Sequence, residues 1–367
     1  MITTIISTVC VVVMATLVAG SLLNLSSNPH WFVRGWDFPR TQIVGIGFVV
    51  TLVYFAANAV IEGSVGTKTA LVMIGFFIFL VIWHGIRILP YTKIARLQSL
   101  STEHICDDRS IRIVVSNLLQ ENEQHDLWLD TIRDENPDII VALEVNQRWA
   151  DAFESLSDTY PHVVAKPQEN CYGMMLMSRF PIESSEIRYL IQSDIPSIDA
   201  VIRMKSGELF RIVGVHPRPP EPVRDQDSVP RDAELLLHAE QLRDETLPVI
   251  VGGDLNDVAW SRTTRLFLQI SNLLDPRRGR GFFNSFHAQH VWFRFPLDHI
   301  FHSRHFTVRE IRRLREVGSD HFPILIQLQL EPEKKAEQPA MTDTQEDHEE
   351  AEELIERARE DESSTAI

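Results

Sequence analysis

Three long apolar runs in the first ninety residues constrain this chain more than any other feature. Ile2 to Leu25 and Thr41 to Ile61 carry no Asp, Glu, Lys or Arg, and Ala70 to Ile86 is uncharged apart from His84. A helix needs about 20 apolar residues to cross a bilayer. One such run is compatible with a buried core helix. Three in succession, joined by short polar connections, are not. A secretory signal peptide fits poorly, because no Lys or Arg precedes the first run and no clear small-residue cleavage site follows it. Residues 1–92 therefore read as a membrane region with three transmembrane helices. His30, Trp31, Phe32, Trp36 and Phe38 fit an interfacial aromatic belt. Three spans put Arg34 and Arg40 on the same side as Arg87, Lys93 and Arg96, with Lys68 alone opposite. The positive-inside bias then places the rest of the chain in the cytoplasm.

Beyond a linker at 93–104 the pattern changes. Residues 105–330 alternate between strand and helix signals. Ile111–Val115, Asp138–Leu143, Leu209–Val215, Pro248–Val251, Leu297–Phe301 and Phe322–Leu328 are short, apolar and often β-branched. Asp126–Glu135, Arg231–Arg243 and Ser261–Ile270 have helical periodicity. Such alternation predicts an α/β domain with layered sheets. The last segment, 331–367, holds 14 acidic and 4 basic residues, a net of −10 within the chain's −16. It has few large apolar residues and is expected to be a disordered, solvated spacer, with a transient helix near Glu349–Arg359. The negative total is thus mainly a property of this tail and does not describe what the globular part binds. Three cysteines are too few for a disulfide framework, and Cys10, Cys106 and Cys171 are expected as buried thiols.

Polar residues recur where apolar strands end. Asn117 follows the first strand, Glu144 ends the second, and His216 ends Leu209–Val215. Asp254 follows Val249–Val251 through two glycines, with Asn256 two residues on. Asp298 follows an aromatic run, and Asp320-His321 precedes the last strand. Singly, each has a plain structural explanation as a turn residue, cap or buried histidine. Together they can converge on one rim of a layered sheet. Oxygen donors such as Asn117, Glu144 and Asp320 suit a hard cation, Mg²⁺ or Mn²⁺, and no Cys/His cluster has zinc spacing. Asp254 and Asn256 could hold and deprotonate a water, and a histidine paired with a carboxylate could supply a cationic donor to a phosphoryl oxygen.

The order Ser-Asn117-Leu-Leu, Leu-Glu144-Val, Val-His216-Pro, Gly-Gly-Asp254-Leu-Asn256, Leu-Asp298-His-Ile-Phe and Gly-Ser-Asp320-His321-Phe-Pro resembles the endonuclease/exonuclease/phosphatase superfamily, the deoxyribonuclease I-like group. The likeness runs from about Ile111 to Leu330. It also resembles membrane-bound bacterial members of that group. The resemblance implies a four-layer α/β sandwich and metal-assisted hydrolysis of a phosphate ester or diester. By matched motif, Glu144 would be the principal metal ligand, with Asn117 beside it and Asp320 contributing. Asp254 would orient or activate water, and Asn256 would position Asp254 and the phosphate. His216 and His321 would contact the phosphate, with Asp298 orienting His321. The role of His299 is open, and Leu118-Leu119 stands where some members carry an acid, which puts a second metal in doubt. Tyr172-Gly173 through Ser178-Arg179 resembles a family strand with a mainly structural role.

The substrate is less constrained. The three spans favour a membrane-anchored phosphoesterase at a bacterial inner membrane, acting on a phosphate-bearing, lipid-linked molecule beside the bilayer. Arg218 could reach a second phosphate, although a rigid turn explains His216-Pro-Arg-Pro-Pro as well. A nuclease would use Arg277, Arg278 and Arg280 with Arg309, Arg312, Arg313 and Arg315. The preferred reading pairs these with carboxylates on a solvated face, since no aromatic-interleaved basic stripe accompanies them. A catalytically silent membrane scaffold is disfavoured by the completeness of the polar set. No protein partner is inferred, a partner-binding acidic tail being the less favoured alternative to a solvated spacer.

Overall fold

A computed structural model describes residues 2–62, 66–102, 106–220 and 227–365. One compact unit is built on Met1–Thr92. A second spans Lys93–Pro219 and Ser228–Ile367.

The first unit contains Ile2–Leu22 (α1), Trp31–Gly35 (α2), Arg40–Ala57 (α3) and Thr67–Ile88 (α4). Three segments, Ile2–Leu25, Arg40–Ile61 and Thr67–Tyr91, are long and apolar enough to cross a membrane. Cys10, Met14 and Leu17 of α1 pack with Ile43 and Tyr54 of α3 and with Met73 and Leu80 of α4. Val9, Leu52, Ile78 and Ile82 are apolar yet exposed, as helices facing lipid should be. Several buried polar side chains lean on one another. Arg40 forms an ion pair with Asp37, and its Nη1 lies 3.3 Å from His84 Nδ1. His84 Nε2 lies 2.8 Å from Ser21 Oγ. This chain of contacts ties α1, α3 and α4 together through groups too costly to leave alone in an apolar bundle.

Among the described residues the second unit contains eleven strands: β1 (Ser110–Asn117), β2 (Ile139–Leu143), β3 (His162–Lys166), β4 (Met174–Ser178), β5 (Ile182–Arg188), β6 (Ser197–Arg203), β7 (Leu209–Val215), β8 (Val249–Asp254), β9 (Asp298–His302), β10 (Phe306–Arg313) and β11 (Ile324–Leu330). They form a six-stranded sheet, β10-β11-β1-β2-β4-β3, and a five-stranded sheet, β5-β6-β7-β8-β9. Both sheets are mixed. The β1–β2 and β7–β8 pairs are parallel and the remainder antiparallel.

The central strands read as continuous apolar runs because both of their faces are covered. Ile113 and Val115 of β1 enter the core shared with Ile198, Ile212 and Ile250 of the other sheet. Val114, between them, points to the opposite face, where Trp128 and Ile132 of α5 (His125–Glu135) and Trp149 and Phe153 of α6 (Gln147–Phe153) cover it. On the far side, α7 (Val229–Arg243) and α8 (Arg262–Ser271) place Leu235, Leu236, Leu266 and Phe267 over Val213, Val251 and Phe301. The result is four layers, helices outside two facing sheets. Each fully buried aliphatic side chain contributes about 1.5–3 kcal/mol.

Three expectations are corrected. The expected linker is partly built into the second unit: Ser99 Oγ lies 2.8 Å from His302 Nε2, and Leu100 N donates to Gln338 Oε1 at 2.8 Å. The expected disordered tail instead ends in a helix, α9 (Gln345–Thr365). Ala351, Ile355 and Ala358 form a helical stripe buried in the same cluster as α7 and α8, and Arg262 Nε donates to Glu350 Oε1 at 2.5 Å. The acidic surface of α9 outweighs this narrow stripe in composition, but period decides burial. With α9 on one side and the sheet on the other, α7 is buried around most of its circumference. The cysteines are free, and Cys106 is exposed rather than buried.

Candidate active site

The site is assembled where parallel strands end side by side. In β7 and β8, Val215 is in register with Gly253, so the next residues, His216 and Asp254, emerge at one rim. Gly253 is required there: a Cβ would lie 1.8 Å from the Val215 carbonyl oxygen. In β1 and β2, Asn117 is in register with Leu143, which brings Asn117 beside Glu144. Glu144 has φ +60°, a conformation that costs a non-glycine residue about 1–2 kcal/mol. Its surroundings hold it there. Val145 N donates to Gly173 O at 2.9 Å, and a Cβ on Gly173 would meet the Val145 carbonyl at 1.8 Å. The segment at Tyr172-Gly173 therefore fixes the turn that aims Glu144.

These side chains form one connected group. Asn117 Nδ2 donates to Glu144 Oε1 at 2.9 Å and to Asp254 Oδ2 at 3.2 Å. Gln120 N donates to Glu144 Oε2 at 3.0 Å. His321 Nδ1 lies 2.7 Å from Asp298 Oδ2, and its Nε2 lies 3.5 Å from Asp254 Oδ2. His216 Nε2 is 4.0 Å from the same Asp254 oxygen. Asn256, at φ +50°, donates its backbone N–H to Asp254 Oδ1 at 2.8 Å and its side-chain amide to Pro217 O at 3.0 Å. It thus ties the β8 loop to the one carrying His216. Asp320 stands apart: its carboxylate lies 3.5 Å from Ser319 Oγ, and no hydrogen bond joins it to Asn117 or Glu144.

Burial and charge set the protonation states. Burial pulls His321 down, but the Asp298 and Asp254 carboxylates outweigh it and raise the imidazole to about 10. Burial pushes Asp254 up, yet His321 and His216 hold it below the usual carboxylate range. Asp298 and Glu144 are raised by burial. Burial lowers His216, whose Nδ1 is buried with no hydrogen-bond partner among the described residues. The rim therefore offers an ionised Asp254 against a protonated His321, with a neutral His216 beside them.

Asp254, Asp298 and His321 each present one ligand atom, all within 4.8 Å of one another. A protonated imidazole cannot ligate, so this trio reads better as a proton-holding line than as a cation cage. On the Asn117 side the carboxylates of Glu144 and Asp254, bridged by the Asn117 amide, offer hard oxygen donors, which fits a divalent ion of the oxygen-liganded kind.

Several supporting residues have no signal in the sequence. Ser285 Oγ accepts from Asp298 N at 3.0 Å, and the Phe286 ring lies 4.9 Å from His321. Both belong to a loop without periodicity. Ser319, quoted in Gly-Ser-Asp-His, accepts from His321 N at 2.9 Å and donates to Asn117 O at 2.8 Å. His299 is structural: its Nδ1 lies 2.6 Å from Arg277 Nη2 and its Nε2 2.9 Å from Asp257 O. Burial lowers it to about 3. Arg218 pairs with Asp194 at 2.6 Å and lies over Tyr172. Arg277 pairs with Asp275, Arg312 with Glu135 and Arg315 with Asp134, while Arg278 and Arg280 contact Met341, Pro276, Ser99 and Ser101.

The Endonuclease/Exonuclease/phosphatase family model matches residues 115–321, more than half of the chain. The chain belongs to that family, whose members are hydrolases of phosphate esters, generally dependent on a divalent metal. Among solved structures it is similar to D. rerio TDP2 complexed with a single-strand DNA product, with 15% identity, a TM-score of 0.52, and coverage of 60% of this chain and 99% of that one. It is also similar to the human Nocturnin catalytic domain with bound sulfate, with 20% identity, a TM-score of 0.50, and coverage of 62% and 96%. At such identities the likeness concerns the fold. No curated protein matches the chain.

Proposed function

We propose that this protein is a membrane-anchored phosphoesterase that hydrolyses a phosphate ester or diester carried by a lipid-linked molecule at the bilayer, with Mg²⁺ or Mn²⁺. The observation that carries the reading is the buried line Asp298–His321–Asp254, with Asp254 joined through Asn117 to Glu144. Asp254 orients the attacking water and takes its proton. His321, kept protonated by Asp298, donates to a non-bridging phosphoryl oxygen, where charge builds as water adds. His216, whose Nε2 faces Asp254, is a second contact for that phosphate. Asn256 keeps Asp254 aimed. Glu144, with Asn117 beside it, would hold the ion, which would supply charge neutralisation at the phosphate and the leaving oxygen.

The three apolar segments support a substrate at the membrane, and the bias of positive residues supports a cytoplasmic catalytic unit at a bacterial inner membrane. The nuclease alternative draws on the single-strand DNA product bound by TDP2. Against it, three of the arginines that would follow a phosphate backbone, Arg277, Arg312 and Arg315, are engaged in ion pairs with carboxylates. A silent scaffold would have no need of the paired carboxylate and imidazole.

The test is hydrolysis by the full chain in detergent, comparing a lipid-linked phosphate, a phospholipid and plasmid DNA with Mg²⁺. Lipid-borne substrates are expected to be turned over and DNA not. Asp254→Ala and His321→Ala should each remove most activity while circular dichroism stays unchanged. Undiminished activity in both variants would overturn the site assignment. A cysteine placed in α9 and probed in intact cells reads the side of the membrane.

A further inference from the structure

The loop between Phe286 and Phe295 is a small hairpin rising from the catalytic imidazole. Its base is closed by reciprocal backbone bonds between Phe286 and Phe295, with Phe286 N donating to Phe295 O at 3.0 Å. Its second rung is His287 N to Phe293 O at 3.1 Å. The base sits directly on the site, because the Phe286 ring is 4.9 Å from His321. At the tip, Val291, Trp292 and Phe293 form a single turn and are 66%, 83% and 64% exposed. Three consecutive large apolar residues this exposed are unusual on a surface that faces only water.

The charge below the tip is as informative. Arg294 and Arg313 both lie over the ring of Phe322, at 5.1 and 4.2 Å. Arg294 donates to Ala288 O at 2.8 Å and Arg313 to Asn284 O at 3.0 Å. Among the described residues neither is paired with a carboxylate, unlike the arginines at 277, 312 and 315. Two uncompensated cations beneath an aromatic tip match a bilayer edge, with apolar side chains at the acyl boundary and guanidiniums at lipid phosphates.

We propose that Val291, Trp292 and Phe293 insert into the interface of a bilayer containing anionic lipid, seating the His321 rim over a substrate held in that bilayer. This deepens the reading of a membrane-presented substrate and rests on it for the identity of what is cut. The docking itself is measured without hydrolysis.

The experiment uses the full chain with Cys10, Cys106 and Cys171 replaced by Ser and Trp292→Cys labelled with an environment-sensitive fluorophore. The protein is reconstituted in phosphatidylcholine vesicles containing phosphatidylglycerol. Lipids brominated near the headgroup are expected to quench the label at least about twofold, and Arg294→Gln with Arg313→Gln to weaken the quenching. A label no dimmer in brominated than in ordinary lipid overturns the proposal. Quenching indifferent to both arginine changes overturns its electrostatic half. In parallel, Val291→Ser, Trp292→Ser and Phe293→Ser combined should leave hydrolysis of a water-soluble aryl phosphodiester unchanged and slow a vesicle-borne phosphate ester about tenfold. Equal rates on both also count against insertion. Hydrolysis absent from every variant, with quenching intact, would sink the phosphoesterase reading and leave the docking standing.

Discussion

His321 and Asp298 share a buried hydrogen bond of 2.7 Å, and the other ring nitrogen faces Asp254. In the proposed mechanism Asp298 therefore acts at a distance from substrate, by holding a proton on the imidazole. Asp298→Asn removes that charge and lets burial pull the His321 pKa down. At neutral pH a smaller fraction of the enzyme is then protonated. We expect kcat to fall about a hundredfold, and the alkaline limb of the pH–rate profile to move to lower pH. A variant slowed equally at every pH would show that Asp298 serves packing alone.

Metal dependence should reside in Glu144. Chelation is expected to abolish hydrolysis and added Mg²⁺ or Mn²⁺ to restore it. Glu144→Gln keeps the hydrogen-bond acceptor for Gln120 N but loses the charge. It should raise the ion concentration for half-maximal rate by about tenfold or more. An unchanged metal titration would move the ligand elsewhere.

Gly253 is a steric requirement of the β7–β8 pair. Gly253→Ala forces a methyl against the Val215 carbonyl, and the strands must part. We expect a loss of about 3 kcal/mol or more, seen as a lower melting temperature of the catalytic unit. Gly173→Ala should behave similarly and also misplace Glu144. A melting temperature within about 1 °C of the parent for both would contradict the geometry.

Docking of α9 should depend on pH. The carboxylates of Asp343 and Glu240 raise His348, and His348 in turn lowers Asp343. A histidine raised on folding stabilises fully below about pH 6.5 and loses that contribution as pH rises through its folded value. The lowered Asp343 contributes above about pH 4 and is lost as pH falls through its own folded value. Amide protection in α9, taken relative to the intrinsic exchange rate at each pH, should therefore be greatest in the mildly acidic window between them. His348→Gln should flatten the alkaline side, and salt should weaken the whole effect because the cluster is near the surface.

Much of this arrangement was legible in the sequence because β-branched runs ending in polar residues encode both strand and rim. Asn117, Glu144, His216, Asp254, Asp298 and His321 lie where their strands deliver them. Strands such as β5, Ile182–Arg188, were not legible: its central residues are exposed and polar, so no apolar run marks it. Ser285 and Phe286 could not be found either, since their contacts depend on a loop whose path is set by tertiary packing. Asp320 shares a motif with His321, yet adjacency in sequence points the two side chains differently. In α9, abundant charge concealed Ala351, Ile355 and Ala358.

That helix has a mechanical consequence. Ile355 presses on α7, and from α7 Arg231 Nη1 reaches the carbonyl of Asn256 at 2.7 Å, two residues from Asp254. Helix α9 and the Asp254 carboxylate are thus linked in series, like two ends of a lever. Clipping the chain before α9 would leave every catalytic residue in place by count and slacken the support that aims them.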